Sequence, residues 1–147
     1  MQIGVFVALM IAAGAMIAFQ SPINAALARS IGVYNATFLS FAVGVVIAGV
    51  IAALTGGGGS LRQVAQVPWW QWLGGALGVA YVTTIIVAVP RIGVTTMMVA
   101  ALAGQLATAM LIDHYGWFGI EARAVDARRL LALPLLGAAL WLIHTGR

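Results

Sequence analysis

Five long runs of the chain, at 1–28, 30–61, 63–90, 92–112 and 130–146, carry no formal charge, and short polar segments separate them. A helix needs about 17 to 25 apolar residues to cross a bilayer, so each run predicts one crossing. Turn and interface residues trim the runs to spans at 3–28, 33–54, 69–89, 93–112 and 130–144. Pro22 removes a backbone donor inside the first span and predicts a kink or local unwinding near Ala18–Pro22. Gly32 marks the first turn, and the run Gly56–Gly59 with Ser60 predicts a flexible connection. Trp69, Trp70 and Trp72 open the third span where indoles favour the headgroup region. Pro90 with Arg91 predicts its end, and the very short turn that follows makes spans three and four an antiparallel hairpin. The segment 119–129 holds Glu121, Arg123, Asp126, Arg128 and Arg129, which reads as a surface connection with room for a short interfacial helix. Pro134 falls in the first half of the short fifth span, and His144 reads as an interface anchor at its end.

Composition strengthens this pattern. Of 147 residues, 63% are hydrophobic and 18 are glycine, while seven arginines and three acids are the only formal charges. That is too little polar surface to cover a soluble globule. The fold expected is therefore all-α, a polytopic membrane protein with five transmembrane helices in one domain over 1–147, and the lipid bilayer is its first partner. The first run lacks a basic leader and is longer than the apolar region of a cleaved signal peptide, so the span is expected to stay. Net charge is +4, but the arginines are scattered among connections rather than gathered in a stripe, which argues against nucleic acid. No cysteine is present, and no nucleophile–base pair, carboxylate pair or metal-ligand set falls within reach. Neither an enzyme nor a cofactor or metal is expected.

The arginines divide almost evenly between the two membrane faces: Arg62, Arg123, Arg128 and Arg129 on the N-terminal side, Arg29, Arg91 and Arg147 on the other. Orientation follows the Lys and Arg bias of short loops, so the chain is expected to insert both ways and to pair as an antiparallel homodimer. Two chains would then reproduce the inverted repeat of many alternating-access transporters. The alternative is an ordinary single orientation held by the 123–129 cluster.

Polar groups inside spans are costly in lipid and point to function. Gln20 and Asn24 lie one turn apart on one face of span one, Tyr81 sits near the middle of span three and Gln105 near the middle of span four. Converging, they would line a mid-depth solute site, with Pro22 as hinge; the structural alternative is that the amides bridge helices. Thr83, Thr84, Thr95 and Thr96 are expected to bond their own helix carbonyls. Small residues recur at helical spacing, and Gly44, Gly74, Gly78 and Gly104 are candidate helix contacts. Asp113 beside His114 is a weak candidate for proton coupling, because neighbours on a helix diverge. Asn35-Ala36-Thr37 matches a glycosylation sequon but abuts span two and reads as accidental.

Several segments together resemble one family. Gln20-Ser21-Pro22-Ile23-Asn24-Ala25-Ala26-Leu27, Ser40-Phe41 with Gly44, Pro68-Trp69-Trp70 with Leu73-Gly74-Gly75 and Gly78, Tyr81-Val82, Pro90-Arg91-Ile92-Gly93, and Gly104-Gln105-Leu106 with Asp113-His114-Tyr115-Gly116 are similar to the YdcZ-like branch of the drug/metabolite transporter superfamily. The resemblance runs in order over nearly the whole chain. It implies a bacterial inner-membrane transporter with five spans per unit, occurring as an antiparallel homodimer, as a paralogous heterodimer, or fused. Small multidrug resistance proteins of that superfamily carry a glutamate in their first span. Here that span has Gln20 and Asn24 and no acid, which favours a small polar solute or metabolite over a lone cation. The rival expectations are a non-transporting assembly or accessory subunit, one half of a heterodimeric transporter, and a small multidrug exporter.

Overall fold

The computed structural model describes residues 2–56 and 63–145, with the side chains at 2 and 144 excluded. The expectations for the glycine run from residue 57 onward, for Arg62 and Arg147 and for the His144 side chain lie outside the described residues. Among those described, the chain is all helical: α1 (Gln2–Ile31), α2 (Val33–Leu54), α3 (Leu73–Ile92), α4 (Val94–Tyr115) and α5 (Ala127–Thr145). Four are long and apolar enough to cross a membrane, α3 counting with the 3-10 turn Trp69–Trp72 that precedes it. The fifth, 19 residues with Arg128 and Arg129 in its first turn, is shorter.

The chain divides into two compact units, Met1–Arg91 and Ile92–Arg147. In the first, α1 continues through Pro22 without a break and stops only at Gly32. Gly32 has φ 86° and ψ 158°, a backbone region that is essentially glycine-only. Its N–H donates to the Ala28 carbonyl at 2.8 Å, and its own carbonyl accepts from Ala36 N–H at 3.0 Å. One residue thus ends α1 and starts α2. Gly93 repeats the device with φ 77° and ψ 163°, its carbonyl accepting from Met97 N–H at 3.2 Å. Both glycines sit in the same tripeptide, Ile31-Gly32-Val33 and Ile92-Gly93-Val94. This corrects one expectation: α3 does not stop at Val89 but runs through Pro90 and Arg91 to Ile92, because the glycine, not the proline, breaks the helix.

Burial in the first unit is concentrated at the end where this turn lies. Ser21, Asn24 and Ala25 of α1, Ala36 and Thr37 of α2, and Ile85, Ile86 and Val89 of α3 are buried. Small side chains let backbones approach, which is how helices associate where lipid removes the hydrophobic drive. Away from that end, every residue of 3–12 in α1 and 43–51 in α2 is exposed.

In the second unit α4 ends at Gly116, which adopts the left-handed conformation and donates to the Ile112 carbonyl. A side chain there would come within 3.1 Å of both Ala122 Cβ and Ile120 O at a φ of 64°, so any substitution would be both crowded and strained. A 3-10 turn, Trp117–Gly119, follows. Residues 120–126 form no helix, so the interfacial helix allowed by the sequence is not built in that stretch. Instead Asp126 caps α5: its Oδ1 accepts from Arg129 N–H at 2.8 Å and its carbonyl from Leu130 N–H at 3.1 Å. That cap draws Arg128 and Arg129 into the helix rather than leaving them in the connection.

Candidate functional site

The polar residues singled out in α1 occupy unlike surroundings. Gln20 is exposed, whereas Asn24, one turn further toward the Gly32 end, is only 6% exposed. Among the described residues neither side chain hydrogen-bonds to another group. No fully enclosed polar side-chain atom among the described residues lacks a partner, so the Asn24 amide tip keeps a narrow opening. It offers two donors and an acceptor there. Between them lie Ser21, whose hydroxyl donates to the Ile17 carbonyl at 2.7 Å, and half-buried Pro22. A serine bonded back by four residues tends to bend a helix, and the proline two positions before Asn24 leaves the Ala18 carbonyl without its usual helical donor.

Tyr81 is half-buried on α3. Thr83 and Thr84 donate to the carbonyls of Val79 and Ala80, both at 2.8 Å, as the sequence suggested. Thr83 does more, because its hydroxyl also meets that of Thr37 at 3.2 Å and joins α2 to α3. Thr37 was missed in the sequence, where it figured only as the third residue of an accidental sequon. Its signal was a hydroxyl inside an apolar span, one turn from Phe41 and Ser40. The Thr37 hydroxyl also lies 3.0 Å from the Val33 carbonyl; with one proton on each hydroxyl, whichever threonine donates to the other gives up its bond to its own helix carbonyl. Of the four glycines, Gly78 faces the Phe41 ring, 3.5 Å from where its Cβ would stand, while Gly44, Gly74 and Gly104 face open space.

Gln105 belongs to the second unit and is exposed on α4. Asp113 and His114 have separate partners. The Asp113 carboxylate lies 3.6 Å from the Arg129 guanidinium, and its backbone carbonyl accepts from Arg123 N–H at 2.7 Å. The His114 ring packs edge-on against Tyr115, with centroids 4.9 Å apart, and its Nδ1 faces Val125 N–H at 3.5 Å. Both residues thus tie the 120–126 connection back to α4, and the half-exposed ion pair contributes modestly.

An all-helical chain with four apolar helices of bilayer length is a polytopic membrane protein. The family described as "Putative inner membrane exporter, YdcZ" matches residues 5–142, and the chain belongs to that family. It is a multi-pass protein of the bacterial inner membrane, in a family of transporters rather than enzymes. Neither the curated proteins nor the solved structures contain a match to the chain.

Proposed function

We propose that the chain transports small polar solutes or metabolites by alternating access, as an antiparallel pair of five-span subunits. In this reading α5 is the fifth crossing, 1–147 acts as one transmembrane domain, and the partner is a second copy or a paralogue. The solute meets Gln20, Asn24, Tyr81 and Gln105, and Pro22 is the flexing point. The observation that carries the reading is Asn24: an amide on a membrane helix, 6% exposed, open along one edge and bonded to no group among the described residues. The side chain is otherwise buried, so its open, unbonded amide tip is placed to meet a solute, whereas an amide retained only for packing would be expected to bond a neighbouring helix. Membership of an exporter family supports a solute as the missing partner. The spans contain no carboxylate to bind protons and a cation in competition, so amide and hydroxyl recognition fits a neutral, zwitterionic or anionic solute.

The rival is a non-transporting accessory subunit whose polar groups join helices. The Thr37–Thr83 contact favours it for those two residues. A thermal-shift screen of polar metabolites on the purified protein separates the two. A true ligand at 100 times its dissociation constant stabilises the wild type by about 2.7 kcal/mol, and it should fail to stabilise Gln20→Ala, Asn24→Ala or Gln105→Ala variants that fold. If those variants lose stability and bind every wild-type ligand unchanged, the packing reading holds.

A further inference from the structure

A separate pocket of about 240 Å³ opens near the turn end of the first unit, lined by α1, the start of α2 and the end of α3. Its walls are Ala25, Ala28, Val33, Ile86, Val87 and Pro90, and Arg29 and Arg91 complete the lining. Ile86 is 1% exposed, and the floor it backs is apolar. The arginines stand in the last turns of α1 and α3, where a cation near the helix C-terminus is favoured and can reach the interface. That explains each arginine alone. It does not explain two from different helices on one pocket. Among the described residues neither guanidinium pairs with a carboxylate. All three acids of the chain, Asp113, Glu121 and Asp126, come at or after the end of α4, and two of them already face Arg129 and Arg123. Both arginines are exposed, so their long side chains can turn toward an anion seated in the pocket.

We propose that this pocket binds a small amphiphilic anion, a phosphate or carboxylate on a short apolar stem. The guanidiniums supply paired donors that match such oxygens, and the aliphatic floor takes the stem. The volume sets the size. Drug-sized ligands occupy pockets of roughly 300–1,000 Å³, so this one suits a headgroup or a short-chain acid. The chemistry is shared by an anionic phospholipid and by a free solute, and the test distinguishes them. Its lining includes none of Gln20, Asn24, Tyr81 and Gln105, and it stands whether or not those residues bind a transported solute.

The test uses the full chain in phosphatidylcholine nanodiscs, with dioleoyl phosphatidylglycerol in one arm and monobutyl phosphate in the other, read by thermal shift and native mass spectrometry. Wild type should bind at least one probe. Arg29→Gln and Arg91→Gln should each weaken binding by about tenfold, and the double Lys variant, which keeps the charges, should retain part of it. Val87→Trp fills the pocket without touching the arginines and should also abolish binding. Binding of the lipid alone assigns a headgroup site, and binding of the soluble phosphate alone assigns a solute site. If neither probe binds, or if binding survives either the Gln substitutions or the filled pocket, the proposal is overturned.

Discussion

At the turn end of the first unit Ala25, Ala36 and Ile86 are almost sealed from solvent, whereas at the opposite end Phe6, Ile47 and Leu77 are each more than half exposed. Both ends are apolar, so hydrophobicity does not distinguish them. Small side chains, a hydroxyl pair and a one-residue turn do. Ala25 and Ala36 let α1 and α2 approach, Thr37 and Thr83 join α2 to α3, and Gly32 holds two helix ends one residue apart. The opposite end has Gly44 and Gly74, and both face open space. In lipid, apolar area alone does not drive helices together; close approach and hydrogen bonds do. The open end is where lipid or a second copy must complete the packing, and the proposed antiparallel pair assigns that role to the second copy.

Substitutions that should break this contrast can be ranked by size. Ile86→Ala at the packed end should destabilise the folded chain by about 2 kcal/mol or more, measured by unfolding in mixed micelles. The same truncation at Ile47 should change stability by less than about 0.5 kcal/mol. Equal losses at both sites would remove the distinction between the ends. Next comes Gly32→Ala, which forces a side chain into a glycine-only conformation and should lose about 1–3 kcal/mol; Gly44→Ala is its control and should leave the isolated subunit unaffected. Thr37→Val keeps the shape and removes the hydroxyl, for a loss of about 1 kcal/mol that a Thr83→Val double-mutant cycle should show to be shared. The smallest stability effect belongs to Asn24→Ala, which removes an amide with no partner among the described residues. It should leave stability nearly unchanged or slightly raised, and a loss comparable to that of Ile86→Ala would identify Asn24 as a packing residue.

The sequence made much of this legible, and the reasons differ by residue. Charge-free runs located the helices because a buried charge in lipid is so costly that gaps between charges nearly mark the crossings. The end of α3 was misplaced because Pro90 looked like the stronger break, although a proline in a last turn is tolerated while a glycine at φ 77° is a definite stop. The repeated Ile-Gly-Val was in plain view and gained meaning only from the backbone angles. Thr37 could not be distinguished from any other span hydroxyl until Thr83 stood 3.2 Å away. Gln20 and Asn24 read as two amides one turn apart on one face, but periodicity could not tell that one would be buried and the other exposed. That depends on where the neighbouring helices close, which is set by Gly32 and the small residues around it.

The central claim is that two copies of opposite orientation complete the open face, and the absence of cysteine makes it directly measurable. Thr55, exposed at the C-terminal end of α2, can be changed to the sole cysteine of the chain and labelled with a membrane-impermeant maleimide, first in intact cells and then after opening the inner membrane. The antiparallel pair predicts about half of the thiols labelled from outside and the remainder only after opening, as follows from equal insertion of both orientations. Labelling of all the thiols from one side alone would contradict it.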